Sequence, residues 1–477
     1  MSGRQHALVI GGSLAGMFAA KALSQIFKQV TIIERDTLPD EITVRDGVPQ
    51  SRHVHQLLVG GLNVMRELFP GLDDDLEAAG AIPIHMGYNF IMATRYGFMP
   101  PVETGMHSFL SSRPALESVI RQHINNTDNI CIIQGYSVIQ LLTDKDKRVV
   151  SGVLAEKKRE KSSEQFNADL VVDASGRNSK AITWLEELGY DAPEATHIDA
   201  HVGYASCWFE KPDYAPDGIP AMLSLGDADN PRTCLISEVE GNKWLAMAAS
   251  KNHDYPPTDL DGFLEFTKGC PSPFVYNYLK HAKAISPVYG YRRTENHWRH
   301  YEKMTRRPEN FVITGDAACA FNPIYGHGMS VAAMDAKLMG QILKSYAGRN
   351  LTGFADEFQQ ALAKQVEVVF SLASADDLEQ PTVEGEFPEQ PPALKWLGLY
   401  FRQALRAMFV DDVVRVRFNR VSNLIDSPLT LFKPGILLRV FIYTLKEKFA
   451  PNNLPRVPQY KVGHVHLEPQ MDMVASI

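Results

Sequence analysis

Gly11-Gly12-Ser13-Leu14-Ala15-Gly16 follows an apolar run at 7–10 and opens a stretch with helical periodicity. Gly11 permits a tight turn after a strand, and Gly16 permits close helix–strand packing. The helix start then offers free amides and a positive dipole end to a diphosphate. Ser13 replaces the middle glycine of that pattern and is small enough to let a phosphate approach. Glu34 closes the β-branched run 30–34, 18 residues beyond Gly16 and close to the expected spacing of about 20, where an acid accepts ribose hydroxyls. These residues predict a dinucleotide site without choosing between FAD and NAD.

A second constellation makes that choice. Phe311-Val312-Ile313-Thr314-Gly315-Asp316 reads as a strand ending in Gly-Asp, followed by Asn322-Pro323-Ile324-Tyr325-Gly326-His327-Gly328-Met329 at a helix start. A carboxylate at the strand end can bind the hydroxyls of a ribityl chain. A glycine-rich helix start can aim amides at the N1–C2=O edge of a flavin and stabilise negative charge there. The cofactor expected is FAD.

The elements that must position these groups are legible in outline. Residues 7–34 read strand, turn, helix, strand, with Leu14, Phe18, Ala22 and Ile26 as one helical stripe. The polar excursion 157–165 reads as a hairpin tip between 149–154 and 168–173. Residues 190–300 alternate like an inserted, largely antiparallel layer, with short helical stretches after Asp259 and Pro273. Strand, turn and long helix return over 311–345. The Pro- and Glu-rich segment 376–392 reads as an exposed linker.

Composition narrows the function classes. The 477 residues carry 48 Lys+Arg against 56 Asp+Glu, a formal charge of −8. That balance argues against bulk nucleic-acid binding. The five cysteines (131, 207, 234, 270 and 319) form no CxxC pair, so neither a zinc ribbon nor a disulfide framework is expected and no metal site is assigned. With no apolar leader after the first residues and no uninterrupted apolar span, the expectation is a soluble, cytoplasmic protein. The segment 393–450 departs from the rest. Its Arg402, Arg406, Arg415, Arg417, Arg420, Lys433, Arg439, Lys446 and Lys448 outnumber Asp411, Asp412, Asp426 and Glu447. Apolar, Arg-rich helices there have three readings: a lid over a long lipophilic substrate, a peripheral contact with an anionic membrane surface, or an ordinary helical cap.

GGSLAG at 11–16, RDGVPQSRHVH at 45–55, DLVVDASGRNSK at 169–180 and GDAACAFNPIYGHGMS at 315–330 make the chain resemble the FAD-dependent monooxygenases of the aromatic-hydroxylase fold. Within them it is most similar to the squalene-epoxidase-like branch that includes the polyether epoxidase of lasalocid biosynthesis. The matching stretches span about the first 340 residues. The resemblance implies an α/β fold: a Rossmann-type, glutathione-reductase-like FAD-binding domain assembled from 1–80, 105–190 and 300–375. An inserted, mostly antiparallel substrate layer would come from 81–104 and 191–299, and a helical C-terminal region and tail from 393–477. It assigns Glu34 and Arg35 to the adenosine ribose and diphosphate side, Arg113 to the diphosphate and ribityl chain, and Arg52 to the neighbourhood of the flavin. It gives Val138 a backbone contact with adenine and Asp316 the ribityl chain. Pro323, Gly326, Gly328 and Met329 would line the isoalloxazine. Many relatives carry Asp-Gly where this chain has Ser175-Gly176, so NADPH or NADH would reduce the flavin either directly or through a separate reductase.

The implied activity is transfer of one oxygen atom from O₂, through a flavin C4a-hydroperoxide, to a hydrophobic, unsaturated, natural-product-like substrate by epoxidation or hydroxylation. No protein nucleophile is required. A dry pocket and a well-held substrate are. The expected walls are 82–99 and the 200–290 layer. His53, His55, Tyr325 and His327 are the side chains to weigh first, as orienting or packing groups ahead of general acids. An FAD-dependent prenyl-chain reductase would use the same cofactor and a similar tunnel. A non-catalytic prenyl carrier would not need the motif at 322–329. A halogenase would carry a WxWxIP motif, and the five tryptophans stand alone.

Overall fold

The structure is a computed structural model and describes residues 4–449 except 46, 96, 159, 161, 228 and 388–391, with the backbone alone for 392–397. Its frame is a five-stranded parallel sheet in the order Phe311–Ile313, Leu170–Asp173, His6–Ile10, Gln29–Glu34, Ile130–Gln134. The central strand is apolar on both faces, with Ala7, Leu8 and Val9 fully buried. That is the residue pattern a covered parallel sheet requires. The helices Leu14–Ser24 and His327–Ser345 pack against each other, so the two motifs of the sequence meet in space. This is the FAD-binding Rossmann-type α/β fold.

A seven-stranded sheet forms the inserted layer, in the order Tyr289–Tyr291, Gly203–Glu210, Lys243–Ser250, Thr233–Val239, Ala221–Ser224, Phe90–Thr94, Gly97–Phe98. It is antiparallel except where Ala221–Ser224 runs parallel to Phe90–Thr94. Period-two alternation divides its side chains. Cys207, Phe209, Trp244, Ala246 and Ile236 face the helices Leu260–Lys268 and Phe274–Leu279. Tyr204, Leu235 and Met247 face the other way.

Two local expectations change. Ser162–Asn167 is itself a strand antiparallel to Val150–Lys157, so the hairpin tip is shorter than the polar run. An edge strand exposed on both faces tolerates polar residues, which hid it from a hydrophobicity reading. The segment opening at Asp376 is not uniformly exposed. Asp377 is 1% exposed and Gln380 also buried, because both are hydrogen-bonded back into the molecule, Asp377 to Asn322 and Gln380 to Asn252.

The C-terminal helices Pro392–Ala407, Asp412–Ser422 and Pro434–Phe449 share a small core of Ala404, Met408, Phe409, Val414, Leu431 and Val440. This layer reaches the FAD-binding frame at Gly60, whose amide donates to the Asn423 carbonyl over 2.8 Å. A Cβ at Gly60 would stand 2.3 Å from the Leu424 carbonyl oxygen. The tail 450–477, and the side chain of Trp396, lie outside the described residues. Among those described, no helix is long and apolar enough to cross a membrane, and no cluster of His, Cys, Asp and Glu could hold a metal ion. All five cysteines are free thiols.

Candidate functional site

The turn at Gly11 is built by contacts that exclude side chains. Gly11 has φ +102°, and a Cβ there would lie 2.8 Å from the Ala174 carbonyl oxygen. A Cβ at Gly16 would lie 1.8 Å from the Gly11 carbonyl oxygen. Ser13 is the N-cap of Leu14–Ser24 and makes no side-chain cap; its hydroxyl accepts from Arg113 Nη2 at 3.0 Å. Arg113 opens its own helix, Arg113–Asn125, behind the N-cap Ser112. Burial lowers the Arg113 pKa, while Glu117 and Asp316 oppose the shift. Its Nε has no hydrogen-bond partner among the described residues.

Glu34 is 4% exposed at the end of the second strand. One carboxylate oxygen accepts the Gly12 amide at 2.6 Å and the other the Asp36 amide at 2.8 Å. Arg45 joins this acid to the rest of the turn. It lies 3.4 Å from Glu34, 2.9 Å from Asp36 and 2.8 Å from Glu117, which in turn faces Arg113. Nothing in the sequence spacing marks Arg45, because its partners come from two distant segments, the strand end at Glu34 and Asp36 and the helix bearing Glu117. Arg35, by contrast, is half-exposed and reaches the Gly47 carbonyl at 3.4 Å. Val138 is buried in the strand Tyr136–Thr143, at a register shift. Arg52 lies away from this cluster, over the Tyr289 ring at 4.8 Å.

Asp316 sits in a 3₁₀ turn, Gly315–Ala317, at the end of the strand Phe311–Ile313. Arg299 braces that turn by donating to the Ala317 carbonyl at 3.0 Å, and Arg177 donates to the Phe321 carbonyl. Behind it, buried Asp335 accepts the Gly315 amide and the Thr314 hydroxyl, each at 3.2 Å. A Cβ at Gly328 would stand 3.7 Å from Asp316 Oδ1, so the two halves of the motif face each other. Pro323 is exposed, Gly326 takes φ +70° and caps His327–Ser345, and Met329 is buried.

The sheet's inner face meets this turn. Tyr204, Leu235 and Met247, with Phe90, Leu223 and Tyr291, pack toward Val54 and Ile324. His53 lies among them. Its Nδ1 is 2.9 Å from Ser206 Oγ, and its ring stands edge-on to Tyr204 at 4.7 Å. Burial, with Arg52 adding to it, lowers its pKa to about 4. Burial and Arg113 lower that of His55 to about 3, and burial alone lowers that of His327 to about 4. All three are neutral imidazoles near pH 7, suited to orienting a partner rather than holding a proton there. Tyr325 stacks on His327 at 6.0 Å and donates its hydroxyl proton to Asp377 at 2.8 Å.

Residues 4–255 match the family model described as the FAD binding domain. The chain belongs to the FAD binding domain family. Across its length this flavoprotein is 30% identical over 460 residues to Protein Rv3254 of Mycobacterium tuberculosis, covering 93% of this chain and 94% of that protein. It is 26% identical over 345 residues to squalene monooxygenase of Mus musculus, covering 71% of this chain and 54% of that one. Among solved structures, the flavin-dependent brominase Bmp2 superposes with TM-score 0.63 at 15% identity, covering 93% of this chain and 100% of its own. The tetrameric form of 2-methyl-3-hydroxypyridine-5-carboxylic acid oxygenase superposes with TM-score 0.55 at 17% identity, covering 78% and 90%. At such identities the structures speak to the fold alone. Family membership and the relation to squalene monooxygenase place the protein among the FAD-dependent oxidoreductases of the monooxygenase type.

The residues present fit FAD. The Gly11 and Gly16 positions leave no room for a Cβ, and Glu34 retains free lone pairs beyond its two amide contacts. Arg113 keeps a buried Nε that makes no hydrogen bond beside its ion pair with Glu117, and Asp316 faces a glycine-lined helix start. When bound, FAD supplies the redox and oxygen chemistry.

Proposed function

We propose that this flavoprotein is a monooxygenase that inserts one oxygen atom from O₂ into a hydrophobic, unsaturated, natural-product-like molecule by epoxidation or hydroxylation. The other oxygen atom leaves as water, and NADPH or NADH supplies the two electrons, directly or through a separate reductase. The observation that carries this reading is the apolar inner face of the seven-stranded sheet, closing on Ile324 and Val54 beside the turn 322–328. Tyr204, Leu235, Met247 and Phe90 give that face an apolar lining with almost no charge, of the kind that suits such a substrate. The 26% identity to a squalene monooxygenase supports the epoxidase-like branch. In this reading Gly11, Ser13, Gly16, Glu34, Arg35, Arg113 and Val138 hold the ADP half of FAD. Asp316 holds the ribityl chain, and Arg52, Pro323, Gly326, Gly328 and Met329 surround the flavin ring. Neutral His53 orients rather than protonates.

Rapid mixing of the FAD-loaded protein with NADPH or NADH, followed by mass analysis of an alkene substrate panel under ¹⁸O₂, tests the proposal. The expected product is heavier by one ¹⁸O atom. Bleaching by the nicotinamide alone would mean that Ser175 permits direct docking; a need for added reductase would mean that it does not. A product gaining two hydrogens would favour the prenyl-chain reductase, and a halide-dependent product a halogenase. A protein that cannot be loaded with FAD would favour the carrier.

The C-terminal layer adds a peripheral membrane contact to this reading. Its arginines are largely spent on nearby acids: Arg417 and Arg420 on Asp426, Arg439 on Asp411 and Arg415 on Asp412. What remains outward is a stripe on Pro434–Phe449, where Leu438 and Phe441 are each 59% exposed and Phe449 71%. Lys446 and Lys448 lie beside the stripe, with no acid within ion-pair distance among the described residues. An apolar stripe flanked by lysines suits an anionic interface. Wild-type protein is expected to sediment with phosphatidylglycerol-containing vesicles, and Leu438→Glu with Phe441→Glu to lose most of that binding. Equal sedimentation of both proteins would remove the membrane from the proposal.

A further inference from the structure

Resting on the FAD-dependent reading above, we infer that the buried Asp377–Lys251 pair is the positioning device of the flavin-edge turn. It would set the turn's conformation, and thereby the electrostatics presented to the ring half of FAD, without touching the ADP half.

Asp377 gathers four donors from three separate segments. One carboxylate oxygen accepts Asn296 Nδ2 at 2.8 Å and Asn322 Nδ2 at 2.9 Å. The other accepts the Tyr325 hydroxyl at 2.8 Å and Lys251 Nζ at 3.2 Å. Asn322 is held again at its backbone, where its amide donates to Asn296 Oδ1 at 2.7 Å, and its own side chain caps the turn by accepting the Ile324 amide at 3.2 Å. The two polar side chains of the turn, Asn322 and Tyr325, therefore both lead to one carboxylate just past the helix Phe354–Ala375.

Lys251 follows the strand Lys243–Ser250 of the inserted sheet and is 7% exposed. Its ammonium also donates to Tyr325 Oη at 3.0 Å and to Asp376. The pair thus joins the frame, the inserted sheet and the flavin-edge turn at one point. A buried carboxylate left without its cation carries a large desolvation cost, so neither charge is neutral to remove alone. The amide of the isosteric Asp377→Asn must turn its NH₂ toward donors on one side or the other, breaking half the set.

The test compares FAD with ADP, a fragment that carries no flavin ring, on full-length apoprotein. Asp377→Asn is expected to weaken FAD binding about tenfold or more, and to shift the visible flavin spectrum and midpoint potential of the loaded protein. ADP affinity should stay within about twofold of wild type. A merely structural role would lower both affinities together and leave the spectrum of the loaded fraction unchanged; that result overturns the inference. Lys251→Met should weaken FAD binding in the same selective way, and Lys251→Met with Asp377→Asn should be less impaired than Lys251→Met alone, because the unpaired charge is gone. Two effects that simply multiply would refute the coupling. A wild-type protein that binds neither FAD nor ADP would instead sink the FAD-dependent reading itself, so the two failures are distinguishable.

Discussion

Gly16→Ala is expected to abolish FAD retention and to lower stability by about 1–3 kcal/mol or more, the cost of forcing a methyl group into a packed contact. The added Cβ would stand 1.8 Å from the Gly11 carbonyl oxygen and 2.9 Å from its carbon. Both are backbone atoms, so no side chain can swing aside. Nor can the strand yield, since the Gly11 amide is tied to the Ile33 carbonyl at 2.9 Å and His6–Ile10 is the centre of the parallel sheet. The helix Leu14–Ser24 must withdraw, carrying its N-terminal amides away from the diphosphate position. Asp316→Ala should retain the fold and weaken FAD binding by about tenfold to a hundredfold, the scale of losing charge-assisted hydrogen bonds worth about 1.5–3 kcal/mol. Glu34→Ala should cost less, because Arg45 keeps Asp36 and Glu117 as partners and continues to hold the turn. Titration of the three apoproteins with FAD, beside thermal melts, gives the order. A Gly16→Ala protein that stays loaded at low FAD and melts like wild type would contradict the packing argument.

That order also marks what a sequence can disclose. The turn at 11–16 and the Gly-Asp strand end were legible because backbone geometry demands particular residue types at fixed spacing: glycines where a Cβ collides, an acid at a strand terminus. Arg45, Asp377 and Lys251 were not. Each is defined by partners that converge from distant segments, such as Asp377 with Asn296, Asn322, Tyr325 and Lys251. No periodicity records such a meeting. The segment after Asp376 looked like a linker because Pro and Glu are common in one, yet its first residues are pulled inward by those contacts. Ser162–Asn167 was missed for a related reason: an edge strand needs no apolar face. The inserted sheet was readable as alternation, whereas which face met the flavin-edge turn was not, since that depends on how Ile324 and Val54 are brought against it.

Asp335→Asn is expected to flatten part of the protein's pH dependence and to gain stability relative to wild type as pH rises. Asp335 is 1% exposed, and burial raises its pKa to about 7, opposed by hydrogen bonds from Gly315, Thr314 and Gln365. No cation pairs with it among the described residues. Its folded-state pKa therefore lies above the unfolded carboxyl value of about 4. Between those values the folded protein holds a proton that the unfolded chain has released, so this group's contribution falls as pH rises from about 4 to about 7 and stays lost above. The slope is at most about 1.4 kcal/mol per pH unit, and the full loss about 2–4 kcal/mol. Asparagine keeps the shape. Its carbonyl can still accept the Gly315 amide and Thr314 hydroxyl, while the Gln365 amide, which donates at 2.7 Å, can turn its oxygen toward the new NH₂. Denaturant unfolding of both proteins at pH 5 and pH 8 isolates the group, because every other titration is common to the two. The mutant's stability relative to wild type should rise by about 2 kcal/mol or more between those pH values. A difference that stays constant would mean that Asp335 is ionised at both, and that the turn bearing Asp316 rests on a permanent buried charge.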